Sequence, residues 1–320
     1  MSELISIVMP AFNAARFLPC TLASVQQQTW PHWELLLVDD GSTDDTRQVV
    51  AEYAALDSRI KYLYQPNGRQ GKARNLGLRA AKGKYVAFLD ADDYWLPDLL
   101  ARQFEYLQLT SADMVFCDAY VFSDDSQLTP ATLSMLPLLS NNKEPQSYTG
   151  LDGIARFLLG NRVPILTALV KRESLERVKG FGEDLLFQNA EDYHLWVKLL
   201  LEGFTLSEHT KPLAAYRKHT NSVSDPVGAN LMQVVEAKID LSEKYSTYKA
   251  VIRASLPPTM AQSLAEVSRC DDNRFYEVIS HYLSIVNRGY INPVFQLLKL
   301  VKAKKLALRV SYFIFNRVVI

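Results

Sequence analysis

The chain has 320 residues, of which 48% are hydrophobic and 22% are charged, an ordinary composition for a globular protein with a sizeable core. Its formal net charge is zero, so charge gives no argument for a nucleic-acid partner, and none is predicted. The three cysteines are widely and irregularly spaced, which argues against a disulfide framework or a zinc site. No apolar stretch reaches the roughly 20 residues needed to span a bilayer, and the N-terminus lacks a signal-peptide pattern. We therefore expect a cytoplasmic protein.

Short apolar runs alternate with helical patterns through the first 120 residues. The predicted strands are 5–9, 34–39, 60–65, 85–90 and 114–120. The predicted helices are 14–28, the stretch after Ser42, 71–82 and 97–109. Continuous apolar strands that alternate with helices predict an α/β fold whose mostly parallel sheet is flanked by helices. In such a sheet, ligands bind at the carboxyl ends of the strands.

The second half of the chain is more varied. Residues 123–150 are polar and contain three prolines, which predicts a long loop of the kind that is usually functional. A helix near 151–160, a strand near 165–170, a helix over 190–202 and a strand that ends near Tyr216 are expected next. The pattern is helical from about residue 226. We predict one domain over 1–225 and an α-helical region over 226–320.

Aspartates follow two of the predicted strands. Asp90 and Asp92 come directly after the fourth strand, where alternation along an extended chain puts both side chains on one side and turns Asp93 away. Two converging carboxylates suit a hard cation such as Mg²⁺ or Mn²⁺, which also takes phosphate oxygens as ligands. The alternative is a polar turn before the helix that starts near Pro97. After the second strand, we expect Asp39 to face the ligand and residues 40–44 to form a turn and a helix cap.

Six segments taken in order resemble the large family of inverting bacterial glycosyltransferases with the GT-A fold, usually called family two. They are ISIVMPAFNAARFLPCTLASVQQQTW (5–30), LLLVDDGSTDDT (35–46), NGRQGKARNLGL (67–78), AKGKYVAFLDADD (81–93), FQNAEDYHLWVKLL (187–200) and YRKHTNSVS (216–224). Each segment alone is weak, but their order and spacing make the resemblance specific. It extends to about residue 225 and leaves the last hundred residues uncovered.

The resemblance implies a Rossmann-like GT-A domain and a nucleoside-diphosphate sugar donor, with UDP the commonest nucleotide. Residues 1–120 would bind the nucleotide sugar and 121–225 would form the acceptor side. The donor-binding residues that it implies are Pro10, Ala11, Phe12, Asn13, Asp39, Arg74, Asp90, Ala91, Asp92 and Arg217. The implied ligands of Mn²⁺ or Mg²⁺ are Asp92, Asp90 and, from the last segment, His219. Phe12 stands where the family commonly has tyrosine, which removes a hydroxyl but keeps a ring for stacking. Arg74 and His219 also allow the plainer interpretation of solvated surface residues.

Inverting transfer is a single displacement that needs a general base for the acceptor hydroxyl and neutralisation of the leaving diphosphate. The resemblance implies that Asp192 is this base and that Glu191 orients the acceptor or holds Asp192 in place. The alternative is that both acids complement the dipole of the helix whose first turn they occupy. A sugar-nucleotide binding module without catalysis is the other function to test against, although retention of the metal acids and Asp192 argues against it.

The C-terminal region is basic. No acid follows Glu277, and residues 294–320 mix large apolar side chains with Lys and Arg. This pattern is typical of a helix on an anionic membrane, which would bring the enzyme to a lipid-linked acceptor at the inner face of the cell membrane. A helix that packs on the catalytic domain, or on a second subunit of a homodimer, has the same pattern. A saccharide or a lipid-linked saccharide is the expected acceptor.

Overall fold

The computed structural model describes residues 3–140, 144–183, 188–219 and 227–256, together with residues 258, 259 and 262. The chain divides into two compact units. The first consists of Met1–Phe157, Asn161–Glu183 and Leu195–Thr220, and the second of Leu158–Gly160, Asp184–His194 and Asn221–Ile320. The basic segment 294–320 lies outside the described residues, so its contact with a membrane, with the catalytic domain or with a second subunit stays a prediction. The domain boundary near residue 225 also stays a prediction.

The first four strands form the parallel half of a nine-stranded sheet, in the order β3-β2-β1-β4. They are β1 (Ile5–Ala11), β2 (Trp33–Asp39), β3 (Ile60–Tyr64) and β4 (Tyr85–Phe88). Every residue of β1, β2 and β4 is buried, because helices cover both faces of the sheet. Burial on both faces explains why these strands are continuous apolar runs in the sequence.

The second half of the sheet is mixed. Its strands are β5 (Tyr94–Trp95), β6 (Met114–Phe122), β7 (Gln146–Tyr148), β8 (Leu169–Lys171) and β9 (Leu206–Arg217). The short β8 joins β4 to β6 and runs antiparallel to both, so β6 has the same direction as β4. Strand β9 runs parallel to β6, while β5 and β7 pair antiparallel with β9. The α/β prediction with its parallel sheet is confirmed. The strand predicted near 165–170 overlaps β8, whereas β5 and β7 were not predicted.

The helices of the first 180 residues are α1 (Leu18–Gln26), α2 (Thr46–Leu56), α3 (Arg69–Ala80), α4 (Leu99–Thr110), α5 (Pro130–Leu133), α6 (Gly150–Leu158) and α7 (Arg172–Arg177). Those after it are α8 (Glu191–Leu201), α9 (Val227–Lys244) and α10 (Lys249–Ala254). Helices α1, α2, α3 and α4 agree with the predicted ones to within a few residues. Residues 165–167, predicted as strand, form a 3-10 turn that follows Pro164.

The segment predicted as a long loop contains short elements. A 3-10 turn covers Asp125–Gln127, and the side chain of Asp124 caps it by accepting from the backbone NH of Ser126. Helix α5 follows, and strand β7 ends the segment. Residues 137–139 lie antiparallel to β6, with a bridge between Tyr120 and Leu138. This segment is therefore hydrogen-bonded to the sheet at its return.

In the second unit, a buried lysine joins elements that are distant in the sequence. The ammonium group of Lys238 on α9 donates to the carbonyl oxygen of Leu158 at 2.6 Å and to the hydroxyl of Thr259 at 2.5 Å. Burial lowers the pKa of Lys238 to about 7. Nearby, His194 and Asp240 contact each other through Nε2 and Oδ2 at 2.8 Å. Polar contacts thus connect α9 to the start of α8 and to the end of α6.

In the described part of the chain, no helix has both the length and the apolar character that a membrane crossing requires.

Acid stability should depend on His209 in β9. Its Nε2 contacts Oε1 of Gln103 at 3.1 Å, and burial lowers its pKa from 6.5 to about 4. Because the folded pKa lies below the unfolded value, its contribution to stability is present above pH 6.5 and is lost as the pH falls from 6.5 towards 4. We expect His209→Gln to reduce the loss of unfolding free energy between pH 7 and pH 5 by about 1 kcal/mol in urea titrations. The same substitution at the exposed His32 is the control, and equal effects would contradict the assignment.

Candidate active site

The carboxyl ends of β1 and β2 are joined by backbone and side-chain hydrogen bonds. Ala11 and Asp39 are register partners, and the backbone NH of Asp40 donates to the carbonyl oxygen of Ala11 at 2.8 Å. Asn13, in the left-handed region with φ of 50°, accepts from the backbone NH of Thr43 at 2.8 Å through its Oδ1. Pro10 and Ala11 are buried in β1, whereas the ring of Phe12 is 53% exposed. The segment predicted to line a nucleobase therefore presents one open aromatic ring.

Asp39 is buried and held from two sides. Its Oδ1 accepts from the backbone NH of Ser42 at 2.8 Å, and its Oδ2 accepts from the hydroxyl of Tyr62 at 2.6 Å. Burial and this bond to a carboxylate raise the pKa of Tyr62 to about 12. Each carboxylate oxygen can accept a second hydrogen bond, so Asp39 retains capacity for a donor on a ligand. The sequence predicted Asp39 as the ligand-facing acid but gave no sign of Tyr62, which lies on the neighbouring strand.

The acids Asp40 and Asp44, which follow Asp39, stabilise the starts of α3 and α2. Asp40 is buried and accepts from the backbone NH groups of Gly68 and Arg69 at 2.8 and 2.7 Å, which fixes the start of α3. Asp44 accepts from the backbone NH of Thr46 at 3.0 Å at the start of α2. Gly41 has φ of 79°, and a Cβ there would lie 2.8 Å from the backbone nitrogen of Asn67. The expected turn and cap are present.

Asp90 lies just beyond β4 and forms an ion pair with Arg74. The guanidinium Nη2 of Arg74 lies 2.7 Å from Oδ1 of Asp90. The side chain of Arg74 is only 2% exposed, whereas that of Asp90 is 28% exposed. Arg74 also lies over the ring of Phe181, with 5.5 Å from its guanidinium carbon to the ring centroid. The structure thus places Arg74 against the turn Asp90–Asp93, which we call the acidic turn, where it compensates the charge of Asp90.

Asp92 and His219 are brought together although 127 residues separate them. Nε2 of His219 lies 2.9 Å from Oδ2 of Asp92, and the imidazole stacks on the ring of Phe17 with 4.9 Å between centroids. Burial and the negative charge of Asp90 raise the pKa of Asp92, while the contact with His219 opposes that change. Two of the three predicted metal ligands therefore share one contact, on an Asp92 side chain that is 30% exposed.

Asp93 and Arg217 stabilise the backbone conformation around Asp92. Asp93 is buried, and its Oδ1 accepts from the backbone NH of Arg217 at 2.8 Å. Burial and the charges of Asp92 and Asp90 raise the pKa of Asp93 well above its usual value. The guanidinium of Arg217 donates from Nε to the carbonyl oxygen of Asp92 at 2.6 Å and from Nη1 to Asp125 at 2.5 Å. Arg217, predicted to bind phosphate, is 4% exposed and holds the acidic turn from below.

One buried polar face of α1 holds the same turn from the other side, and the sequence analysis missed it. The hydroxyl of Thr21 donates to the carbonyl oxygens of Ala91 and Asp93 at 3.0 and 2.8 Å. Gln28 donates from Nε2 to the carbonyl oxygen of Leu96 at 2.8 Å. Ala91, predicted at the donor site, is buried, and its carbonyl oxygen is the acceptor in this contact. Thr21 and Ser24 are buried polar residues of α1, and Gln28 follows two residues after the helix ends; polar residues at this spacing are the pattern that could have revealed this support.

Glu191 and Asp192 belong to the second unit and occupy the first turn of α8. Glu191 is buried at 3% exposure, and Asp192 is partly exposed. Oδ1 of Asp192 accepts from the backbone NH of Tyr193 at 2.6 Å. Both acids also complement the helix dipole at this end, so their position agrees with either interpretation made from the sequence.

The donor set at the acidic turn suits a small divalent cation. Mg²⁺ commonly uses one or two protein carboxylates and takes its other ligands from water and from substrate phosphates. Asp92 and His219 supply an oxygen and a nitrogen within 2.9 Å of each other, and both atoms belong to partly exposed side chains. In the part of the chain that the structure describes, no cluster of three metal-ligating side chains is found. A cation here would therefore depend on the diphosphate of a donor for several of its ligands.

Comparison with known proteins decides the family. Residues 6–177 match the model of glycosyl transferase family 2. The chain belongs to this family. TuaG of Bacillus subtilis, a glycosyltransferase named for teichuronic acid biosynthesis, is 33% identical over 222 residues, which cover 69% of this chain and 81% of TuaG. WfgD of Escherichia coli, a UDP-Glc:alpha-D-GlcNAc-diphosphoundecaprenol beta-1,3-glucosyltransferase, is 31% identical over 202 residues, 62% of this chain and 71% of WfgD.

Solved structures agree on the fold. S. aureus TarS 1-349 in complex with UDP-GlcNAc has a TM-score of 0.68 at 18% identity, and the match covers 98% of this chain and 90% of TarS. A mannosyltransferase of Pyrobaculum calidifontis in complex with GDP-Man and Mn²⁺ has a TM-score of 0.58 at 18% identity, covering 97% of this chain and 86% of that one. The GT-A fold expected from the sequence is confirmed.

The hydroxyl of Tyr62 should set the affinity for a nucleotide through Asp39. Tyr62→Phe removes one hydrogen bond to the carboxylate and keeps the ring, which costs about 1 kcal/mol and corresponds to a roughly fivefold weaker complex. We expect the Kd for UDP, measured by isothermal titration, to rise by about this factor, with the melting temperature lowered by no more than a few degrees. Tyr53→Phe is the matched control, because that hydroxyl donates to the carbonyl oxygen of Pro19 at 3.3 Å. An unchanged Kd in Tyr62→Phe would show that this hydroxyl does not set the affinity for the nucleotide through Asp39.

Proposed function

We propose that this chain transfers a hexosyl unit from a UDP-sugar to a hydroxyl of a polyprenyl-diphosphate-linked saccharide, with inversion at the anomeric carbon and assistance from a divalent cation. The observation that carries the proposal is the contact between Asp92 and His219 at the carboxyl edge of a family 2 sheet. The relatives supply the chemical class. WfgD is named for a UDP-Glc donor and a diphosphoundecaprenol acceptor, and TuaG for teichuronic acid biosynthesis.

The donor would lie along the carboxyl ends of β1, β2 and β4. The exposed ring of Phe12 offers a stacking face for the base, with Pro10, Ala11 and Asn13 beside it. Asp39, oriented by Tyr62 and by the backbone of Ser42, would accept a hydrogen bond from the base. A uracil ring has an N–H group that can donate a hydrogen bond to such a carboxylate. Arg74, through Asp90, would hold the acidic turn in place and contribute positive charge near the phosphates.

The leaving group develops negative charge on the diphosphate, and this charge must be neutralised. Mn²⁺ or Mg²⁺, when bound, supplies that neutralisation as a Lewis acid without a proton donor. Asp92 and His219 would hold it, with Asp90 as a further ligand. The buried supports of the turn, Arg217 and Thr21, fix the carbonyl groups on either side of Asp92 and so limit the movement of its carboxylate.

The acceptor hydroxyl would attack the anomeric carbon on the face opposite the diphosphate. The oxygen-to-carbon bond forms as the bond from that carbon to the diphosphate oxygen breaks, and the hydroxyl proton passes to a base. We assign this base to Asp192, because it is a partly exposed acid in the segment that resembles the family's acidic pair. Glu191 precedes Asp192 in the sequence and is buried. It would orient the acceptor or hold Asp192 in place.

The metal role of Asp92 has a direct test in binding. Asp92→Asn keeps the shape of the side chain but removes the negative charge that a hard cation prefers. We expect Mn²⁺ to tighten UDP binding by the unaltered chain, and expect this gain to fall by about tenfold or more in the variant. Isothermal titration with Mn²⁺ and with EDTA measures both. Asp45→Asn, at an exposed acid just before α2, is the control and should keep the gain. A full gain in Asp92→Asn would remove Asp92 from the metal site.

The role of Asp192 as base has a test in turnover. Asp192→Asn should fold normally and bind UDP as before, but transfer should fall by about two orders of magnitude or more, because the acceptor loses its proton acceptor. Glu202→Gln, which follows the other end of α8, is the control and should retain activity. Near-normal transfer by Asp192→Asn would contradict the assignment. UDP binding by the unaltered chain without hydrolysis or transfer of any UDP- or dTDP-sugar would favour the non-catalytic binding module.

A further inference from the structure

An apolar surface lies beside the proposed active site, formed by Leu133, Met135, Leu136, Leu138 and Leu139, which we name the apolar rim. Met135 is 81% exposed and Leu139 is 44% exposed, while the other three side chains are partly exposed. Residues 128–140 contain no charged side chain. A contiguous apolar run on the surface marks a site of interaction more often than a single exposed residue does.

Sheet topology places this rim at the carboxyl edge of the sheet. Strand β6 has the same direction as β4, so residues that follow Phe122 start at the edge where Asp90 and Asp92 follow β4. Strand β8 pairs with β6 only at Met114 and Val115. Further along β6, one side is taken by β9, and the side towards β4 is taken by residues 137–139. The chain segment that carries the rim therefore runs back to the sheet between the carboxyl ends of β4 and β6.

Hydrogen bonds fix the rim where it returns to the sheet. The backbone NH of Val121 donates to the carbonyl oxygen of Pro137 at 2.8 Å, and that of Leu139 donates to Ala119 at 3.0 Å. The buried carboxylate of Asp118 accepts from the backbone NH of Ser140 at 3.0 Å. Before the rim in the chain, Asp125 pairs with Arg217, which holds the carbonyl oxygen of Asp92. The exposed side chains thus stand on a backbone that is tied to the acidic turn.

We propose that the apolar rim contacts the polyprenyl chain of the acceptor where that chain meets the bilayer surface. The proposal rests on the proposed function, because it takes the acceptor to be a saccharide on a polyprenyl diphosphate. Such an acceptor presents a polar sugar and diphosphate next to a long hydrocarbon. The molecule offers a matching order, with the acidic turn and its cation site followed along the same edge by uncharged apolar side chains. Insertion of Met135 and Leu139 into the interfacial layer would remove their surface from water.

The test is sedimentation of the full chain with vesicles of phosphatidylethanolamine and phosphatidylglycerol, with and without undecaprenyl diphosphate. The double variant Met135→Ser/Leu139→Ser removes the two most exposed side chains of the rim. Leu56→Ser/Leu109→Ser is the matched control, since these leucines are 88% and 79% exposed. They lie at the ends of α2 and α4, which return the chain to the amino ends of the strands. Measurements at high salt suppress the contribution of basic segments, including 294–320, and leave the apolar contribution.

We expect the unaltered chain and the control to sediment equally, with more binding when undecaprenyl diphosphate is present. The rim variant should show a partition coefficient that is lower by about tenfold or more at high salt. Equal sedimentation of the rim variant and the unaltered chain would overturn the proposal, as would no sedimentation of the unaltered chain. A dimer of the unaltered chain that the rim variant dissociates, measured by light scattering, would reassign the surface to subunit contact and also overturn it.

UDP binding in the presence of Mn²⁺ separates this proposal from the proposed function. The rim variant should bind UDP like the unaltered chain, because neither Met135 nor Leu139 is among the residues proposed to bind the donor or the cation. Loss of vesicle binding with intact UDP binding supports the rim. Absence of UDP binding in the unaltered chain would contradict the proposed donor while the vesicle measurement still decides whether the rim meets lipid.

Discussion

The site depends on the repulsion between carboxylates that are crowded into one turn. Asp90, Asp92 and Asp93 occupy three of four consecutive positions, and burial together with the charges of the neighbouring carboxylates raises the pKa values of Asp92 and Asp93. Such a turn is costly unless each charge is compensated. Compensation comes from distant parts of the chain: Arg74 on α3 for Asp90, His219 for Asp92, and the backbone of Arg217 for Asp93. The acidic turn therefore requires α3 and the end of β9 to be in place.

Within the turn Asp90–Asp93, the acids differ in what holds them, and this difference separates the supporting Asp93 from the proposed ligands Asp90 and Asp92. Asp40, Asp44 and Asp93 accept hydrogen bonds from backbone NH groups, which cannot leave without unfolding a turn or helix start. Asp90 and Asp92 instead contact the side chains of Arg74 and His219, which can reorient when a ligand arrives. They are also the more exposed acids of their turn, with side chains 28% and 30% exposed. A cation can replace the side-chain contacts of these two acids at lower cost than it could replace backbone bonds.

Sequence patterns predicted the parallel half of the sheet because strands buried on both faces must be continuous apolar runs. They missed β5 and β7 and placed β8 a few residues too early, because these strands have two or three residues each and owe their form to pairing across the sheet rather than to any local period. The candidate acids were predicted from their positions after strands. Tyr62 and Thr21 were not predicted, since they lie 23 residues from Asp39 and 70 residues from Ala91. His219, which lies 127 residues from Asp92, was named only through the family resemblance. Contacts over such separations follow from topology, which a single sequence specifies only through the complete fold.

Arg74 illustrates how the compensation of charge constrains chemistry. Its side chain is 2% exposed and packs over Phe181, so a move towards a diphosphate would uncover buried apolar surface and leave Asp90 without this cation. A divalent cation held by Asp92 would change that balance, because it would supply positive charge to the turn that Arg74 otherwise compensates at Asp90. Outward rotation of the Arg74 guanidinium would then be favourable only when metal and diphosphate are both bound. Donor binding and metal binding would in this way be coupled through a single ion pair, with the arginine returning to Asp90 once the nucleotide leaves.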